Sequence, residues 1–315
     1  MCSISQIKPK RLRMGDTIGV IAPASPGDIE LTMAGIGWLE KQGFRVELGM
    51  TVEQTLGYLA GTDADRAADI NVMFASPAID GIFCLRGGYG TMRLLELLDY
   101  ECIRTHPKVF LGYSDITALH ISIGQRTGLV TFHGPMVSSD MGKGLSDYTG
   151  DCFFRAITTS EPLGAVINPS NVEPPVFIAL GRAQGYLTGG NLSMIANTLG
   201  TPYEIDTCGK ILCLEEVSEA PYRVDRMLTQ LLLAGKLQDA AGIVVAVCEG
   251  CDMNDPPGFT LEEVLRERLG GLNKPVLYKL HFGHTGEKFT LPLGAMAILD
   301  SEIGGLDVIE SATED

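Results

Sequence analysis

The chain is short of positive charge. It carries 24 Lys and Arg against 39 Asp and Glu, a formal net charge of −15. Nucleic acid and anionic membrane surfaces both call for a basic face, so neither is an expected partner, although a local basic pocket can sit in an acidic protein. Long apolar runs are also missing: no stretch approaches the roughly 18 residues that read as a membrane-spanning helix. Met1 to Arg13 is polar and basic without an apolar centre, so no secretory signal is read there and a cytoplasmic location is expected. The eight cysteines are Cys2, Cys84, Cys102, Cys152, Cys208, Cys213, Cys248 and Cys251. They are scattered, several in apolar strand-like runs, and are expected to be reduced. Cys248-Glu249-Gly250-Cys251 has CxxC spacing, but without a second such pair or a nearby His pair it does not make a zinc site. No metal and no cofactor are expected. Tryptophan occurs once, at Trp38.

What is present is a long alternation of strand and helix signals. At 315 residues with 45% apolar and 20% charged content, two globular domains are expected. Strands are predicted over 18–22, 44–48, 79–85, 109–111 and 129–133. Helices are predicted between them over 31–43, 63–75, 93–98 and 118–126. That alternation predicts an α/β domain with a doubly wound parallel sheet, and ligands of such sheets bind beyond the strand C-termini. From about Asp140 to Asn171 the pattern weakens among Pro162, Pro169, Pro174 and Pro175. The expected division is therefore an N-terminal domain over 1–150, a linker over 151–175 and a C-terminal domain over 176–315. In the last part, strands are predicted at 181–187, 210–214, 242–248 and 275–280, helices at 192–199, 222–234 and 261–269, and closing β-structure at 291–299. The acidic tail 310–315 is expected to fray.

Three strand ends carry chemistry-bearing residues: Ser114 in Gly112-Tyr113-Ser114-Asp115, Glu215 in Leu214-Glu215-Glu216, and His284 in Phe282-Gly283-His284. A serine hydroxyl needs a base to lose its proton, imidazole supplies one, and a carboxylate fixes the imidazole tautomer. Each has a plain alternative. Ser114 is also placed as a helix N-cap, and Ile116 stands where a Gly-x-Ser-x-Gly elbow has its second glycine. Glu215 or Glu216 could be a solvated strand end. His281, His133, His120 and His106 compete with His284. Arg86-Gly87-Gly88-Tyr89-Gly90 reads as a phosphate cradle, as an oxyanion hole, or as a tight strand-to-helix turn. It lacks the Gly-x-Gly-x-x-Gly order and the Lys-Ser/Thr of a P-loop.

Taken together, these motifs resemble the LD-carboxypeptidase family of serine peptidases, which recycle bacterial cell-wall peptides. The matching stretches run from Gly15-Asp16-Thr17 and Gly57-Tyr58-Leu59-Ala60-Gly61-Thr62-Asp63-Ala64-Asp65-Arg66 through Arg86 to Gly90, Gly112 to Ala118 and Thr131 to Met136. They continue through Gly189-Gly190-Asn191-Leu192, Leu214 to Val217, Pro221 to Arg226, and Phe282-Gly283-His284 before Leu291-Pro292-Leu293-Gly294. The resemblance implies Ser114 as nucleophile, Glu215 as triad acid, His284 as base, and the amides of Gly88 and Asp115 as the oxyanion hole. It implies an N-terminal doubly wound domain, a C-terminal β-rich α/β domain, and an active site at the domain interface. It implies release of terminal D-alanine from a murein tetrapeptide by a cytoplasmic homodimer that uses no cofactor. Arg86 is a candidate for holding the substrate carboxylate, and Asn191 is a candidate substrate contact. The runner-up is a peptidase resembling the microcin C immunity protein, which cleaves acyl-sulfamoyl or peptidyl adenylates. Such proteins tend to carry a longer insertion with aromatics, whereas the one Trp here, Trp38, lies well before the Ser114 motif and no extra loop is evident near Glu215 or His284. A non-catalytic small-ligand-binding protein is the third alternative.

Overall fold

The computed structural model describes residues 5–252 and 258–315, so Cys2 lies outside the described residues. In chain order the elements are β1 (Thr17–Ile21), α1 (Ile29–Lys41), β2 (Arg45–Leu48), α2 (Asp63–Ala75), β3 (Gly81–Cys84), α3 (Tyr100–Thr105), β4 (Val109–Gly112), α4 (Thr117–Thr127), β5 (Thr131–His133) and α5 (Asp147–Thr158). Next come β6 (Pro162–Val166), β7 (Val176–Ala179), β8 (Arg182–Asn191), α6 (Leu192–Thr198), β9 (Ile211–Glu215), α7 (Pro221–Leu233), α8 (Lys236–Asp239), β10 (Gly242–Ala246), α9 (Leu261–Leu269) and β11 (Val276–Leu280). The chain ends with β12 (Leu291–Leu293), β13 (Met296–Asp300) and β14 (Gly305–Ser311). Among the described residues, no helix is long and apolar enough to cross a membrane.

Two compact units result. The first comprises residues 1–161, 290–294 and 311–315, and the second comprises 162–289 and 295–310. The first unit holds a six-stranded sheet in the order β12-β5-β4-β3-β1-β2. Its strands are parallel except β12, which pairs antiparallel with β5. The expected doubly wound parallel sheet is therefore present. Its inner strands β1, β3, β4 and β5 are buried throughout, which is why each reads as an unbroken apolar run. Edge strand β2 is mostly exposed. Proline is tolerated in β12 because that strand lies at the other edge. Helix α2 starts where Thr62 accepts from the Asp65 N–H, and it packs closely on β1: a Cβ at Gly19 would lie 2.6 Å from Met73 Sδ.

The second unit is the expected β-rich α/β body, an eight-stranded mixed sheet ordered β6-β14-β13-β8-β9-β10-β11-β7. Its centre, β8-β9-β10-β11, is parallel. Helix α7 opens with Pro221 at its first turn and buries Val224, Leu228 and Leu231. A capping box of Thr260 and Glu263 starts α9.

Three local expectations need correction. The helix read over 93–98 is a short 3-10 turn at Thr91–Leu94, followed by α3. The stretch read as a linker carries most of α5 and all of β6. The tail does not fray: the Arg11 N–H donates to Glu314 O at 2.8 Å, the Glu314 N–H donates to Pro9 O at 2.9 Å, and Thr313 is buried.

Candidate active site

In the first unit the relevant residues lie just past the C-termini of parallel strands. Ser114 follows β4 and has φ 66°. A residue with a Cβ is strained in that left-handed region, at roughly 1–2 kcal/mol, so the position is held by its surroundings. Ser114 does not cap α4: the cap position is Ile116, and no side chain caps there. The loop after β3 lies directly against it. A Cβ at Gly87 would fall 2.8 Å from Ser114 Cβ, 3.0 Å from its Oγ and 3.4 Å from the Asp115 nitrogen. Gly88 has φ +118°, and a Cβ there would meet Ser25 Oγ at 2.3 Å. Ser25 also ties the loop by accepting from the Tyr89 N–H at 3.2 Å. Only a glycine at position 87 lets the loop backbone lie this close to Ser114, the kind of approach that an oxyanion hole needs. The loop does not continue into a long helix, as an anion cradle of the dinucleotide-binding kind would.

Asp115 is buried. Its Oδ2 accepts from the Thr91 N–H at 2.9 Å, and its carbonyl accepts from the Thr91 hydroxyl at 2.5 Å. Burial pushes its carboxyl pKa up, against the two Thr91 hydrogen bonds. Arg86 is half-buried, and its Nη1 donates to Pro26 O at 3.3 Å.

In the second unit, Glu215 ends β9 and His284 follows β11, two strands away in the sheet. The His284 Nδ1–H donates to Glu215 Oε2 at 2.6 Å, and Glu215 is 1% exposed. Gly283, with φ +78°, permits this: a Cβ there would lie 2.7 Å from Glu215 Cγ. Burial draws the His284 pKa down, but the hydrogen bond and charge of Glu215 outweigh it, leaving the imidazole above its ordinary value. The approach to His284 is shaped by a bulge. β11 pairs Tyr278 with Val245 and Leu280 with Ala246, leaving Lys279 extra, at φ 67°. Asn168 holds this bend, donating to Lys279 O at 2.8 Å and accepting from the His281 N–H at 3.0 Å.

The neighbouring carboxylate has a different task. Glu216 accepts from the Ser193 N–H at 2.8 Å, the Ser193 hydroxyl at 2.7 Å and Asn191 Nδ2 at 3.1 Å. Asn191 itself caps α6, accepting from the Met194 N–H. The rival histidines make other contacts. His120 is buried, donates from Nε2 to Gly112 O at 2.8 Å, and is held by burial at about 3. His133 is buried in β5 beside the Tyr113 ring, 5.9 Å away. His106 is exposed at the end of α3, and the His281 Nδ1 meets Glu287 O at 3.4 Å. Cys248 and Cys251 are both buried in the turn after β10, and hydrogen bonding between the thiols pushes Cys248 up. No cluster of three or more His, Cys, Asp or Glu suited to a metal ion occurs among the described residues.

Sequence reasoning missed Thr91 and Asn168. Neither carries a motif signal of its own, because each acts through a backbone contact distant in sequence.

Two family models match the chain: the LD-carboxypeptidase N-terminal domain over residues 18–134 and the LD-carboxypeptidase C-terminal domain over 184–299. The probable murein peptide carboxypeptidase of Bacillus subtilis is 42% identical over 296 residues, covering 93% of this chain and 92% of that protein. The solved muramoyltetrapeptide carboxypeptidase of Oxalobacter formigenes superposes with a TM-score of 0.81 at 33% identity, covering 92% of this chain and 97% of that one. The solved complex of MccF with glutamyl sulfamoyl guanosine reaches a TM-score of 0.90 at 28% identity, covering 98% and 99%. The chain belongs to the LD-carboxypeptidase family, peptidase family S66.

Proposed function

We propose that the chain is a serine carboxypeptidase that releases terminal D-alanine from murein tetrapeptides in the cytoplasm, acting as a homodimer. The observation that carries this is the buried Glu215–His284 pair, an imidazole with its Nδ1 fixed by a carboxylate and its pKa raised. Ser114 Oγ attacks the carbonyl before D-alanine while His284 takes its proton. The tetrahedral oxyanion is held by the amides of Gly88 and Asp115. His284 returns the proton to the departing D-alanine amine, and water then resolves the acyl-enzyme by the same route. Arg86 pairs with the terminal carboxylate of the substrate, whereas Asn191, buried with its amide committed to Glu216 and to the start of α6, supports the site instead of touching substrate. The similarity to the Bacillus subtilis and Oxalobacter formigenes proteins supports the substrate class.

Purified protein is expected to convert murein tetrapeptide to tripeptide and D-alanine, detected by mass spectrometry. Ser114→Ala should lower that rate by at least about 10⁴-fold. Unchanged hydrolysis by Ser114→Ala would remove the serine mechanism. The similarity to MccF favours a second reading, cleavage of an acyl-sulfamoyl adenylate. The same assay on an aminoacyl-sulfamoyl adenylate separates the two by which substrate is consumed. Light scattering on the eluted protein tests the dimer.

A further inference from the structure

Resting on Ser114 as nucleophile, we infer that Arg66, acting through Gly90, and Thr91, acting through its hydrogen bonds to Asp115, are positioning residues that hold the Arg86–Gly90 loop in register with Ser114. Arg66 lies on α2 and is 0% exposed. Its Nη1 donates to Gly90 O at 3.0 Å and also to Pro23 O, in the loop after β1. Its Nη2 pairs with Asp63 at the start of the same helix. A buried guanidinium is costly unless its donors are satisfied. Here Nη1 joins the loops that follow two neighbouring strands and Nη2 is paired with Asp63, while the buried Nε finds no hydrogen-bond partner.

Gly90 closes tightly on this cation. Its φ is +129°, and a Cβ would lie 2.7 Å from Arg66 Nη1 and 2.6 Å from Leu59 Cδ2. The next residue, Thr91, is 0% exposed and makes both hydrogen bonds to Asp115, one to the carboxylate and one to the carbonyl. The glycine loop is thus clamped at its far end by one buried cation and one buried acid on separate elements. At its near end Gly87 rests on Ser114, and Ser25 N–H meets Gly87 O at 3.4 Å. Asp115 couples the two parts, because its amide follows the nucleophile while its side chain grips the loop. Displacing a catalytic donor by about 1 Å costs on the order of 100-fold in rate, so the clamp acts on turnover more than on binding.

The test compares Thr91→Val with Thr91→Ser. Valine keeps the volume and the N–H but removes the hydroxyl bond to Asp115 O. The valine variant is expected to lose about 10–100-fold in kcat with KM within about twofold, while serine restores most of it. Arg66→Lys, which keeps the charge but not the forked donors, should give the same kcat-weighted loss. A fluorophosphonate provides a substrate-independent readout: Ser114 Oγ displaces fluoride from phosphorus, and the adduct's P–O oxygen occupies the oxyanion site. Thr91→Val should slow this labelling in parallel with kcat. Equal labelling and kcat in wild type and Thr91→Val, or a loss carried wholly by KM, overturns the inference. Failure of the wild type to label at Ser114 removes the nucleophile reading and this inference with it.

Discussion

A general base must be neutral when it takes a proton. His284 is raised above its ordinary value: burial works against the imidazolium, but Glu215 more than offsets it. The neutral fraction therefore falls away at a higher pH than for a free imidazole, and the acid limb of kcat/KM is expected above about 6.5. Glu215→Gln removes the charge while leaving an oxygen that can accept from Nδ1. That variant should lose about 10³–10⁴-fold at its plateau, and its acid limb should move to lower pH. A pH–rate profile settles this, and a limb that stays put would show that Glu215 does not set the His284 charge. The choice of Glu215 as partner came from the family resemblance, and the structure pairs it with His284, but local pattern alone did not point to it. Glu215 and Glu216 are adjacent, successive side chains of a strand leave on opposite faces, and nothing local says which face holds the histidine. Ser114 was visible as a strand-end serine, but its positive φ was not, because no Gly or Asn marks the position.

Elements with a strong apolar period were legible: α2 and α9 begin and end where the pattern places them. α5 was not. Its buried face, Thr149, Phe153, Ala156 and Ile157, does carry a helical period, but the prolines that follow it drew the reading of a linker across its C-terminal part. The bulge at Lys279 was equally hidden, since it depends on register against β10. Asn168 supports that bulge from a distant loop. It is 8% exposed and also donates to Glu173 O at 3.1 Å. Asn168→Ala leaves Lys279 O and the His281 N–H without that partner, a loss of about 1–3 kcal/mol. It should lower Tm by several degrees and kcat by about tenfold, with KM little changed, because the strand end that aims His284 relaxes. Thermal melting beside steady-state kinetics checks both. A lowered Tm with unaltered kcat would mean that Asn168 stabilises the unit without aiming His284.

At the scale of the molecule, the sequence suggested one junction, but the chain leaves and re-enters its first unit twice near the C-terminus. β12 was expected to close the second domain. It pairs instead with β5, Leu291 opposite His133 and Leu293 opposite Thr131, across more than 150 residues of chain. A three-residue strand carries too little pattern to announce so distant a partner. That pairing finishes the sheet above which His120 is buried, and there the titration of the whole fold has a distinct sign. His120 is held neutral, at about 3, chiefly by burial, with the neighbouring His133 adding to it. Unfolded, it titrates near 6.5. Above that pH both states are neutral and His120 contributes nothing to pH dependence. As pH falls through 6.5 the unfolded chain takes up a proton that the folded chain refuses, so stability drops. Between pH 7 and pH 5 the loss from this one group is about 2 kcal/mol. His284, raised in the folded state, works in the opposite sense, its contribution being full below about 6.5 and lost as pH rises through its folded value. The His120 share is isolated by difference: His120→Gln keeps a donor for Gly112 O but has no proton to take up. Urea unfolding of wild type and His120→Gln at pH 7 and pH 5 should show the gap between them shift by about 2 kcal/mol in favour of the variant at the lower pH. An unchanged gap would mean that His120 takes up its proton without unfolding, and that burial beside Gly112 does not keep it neutral.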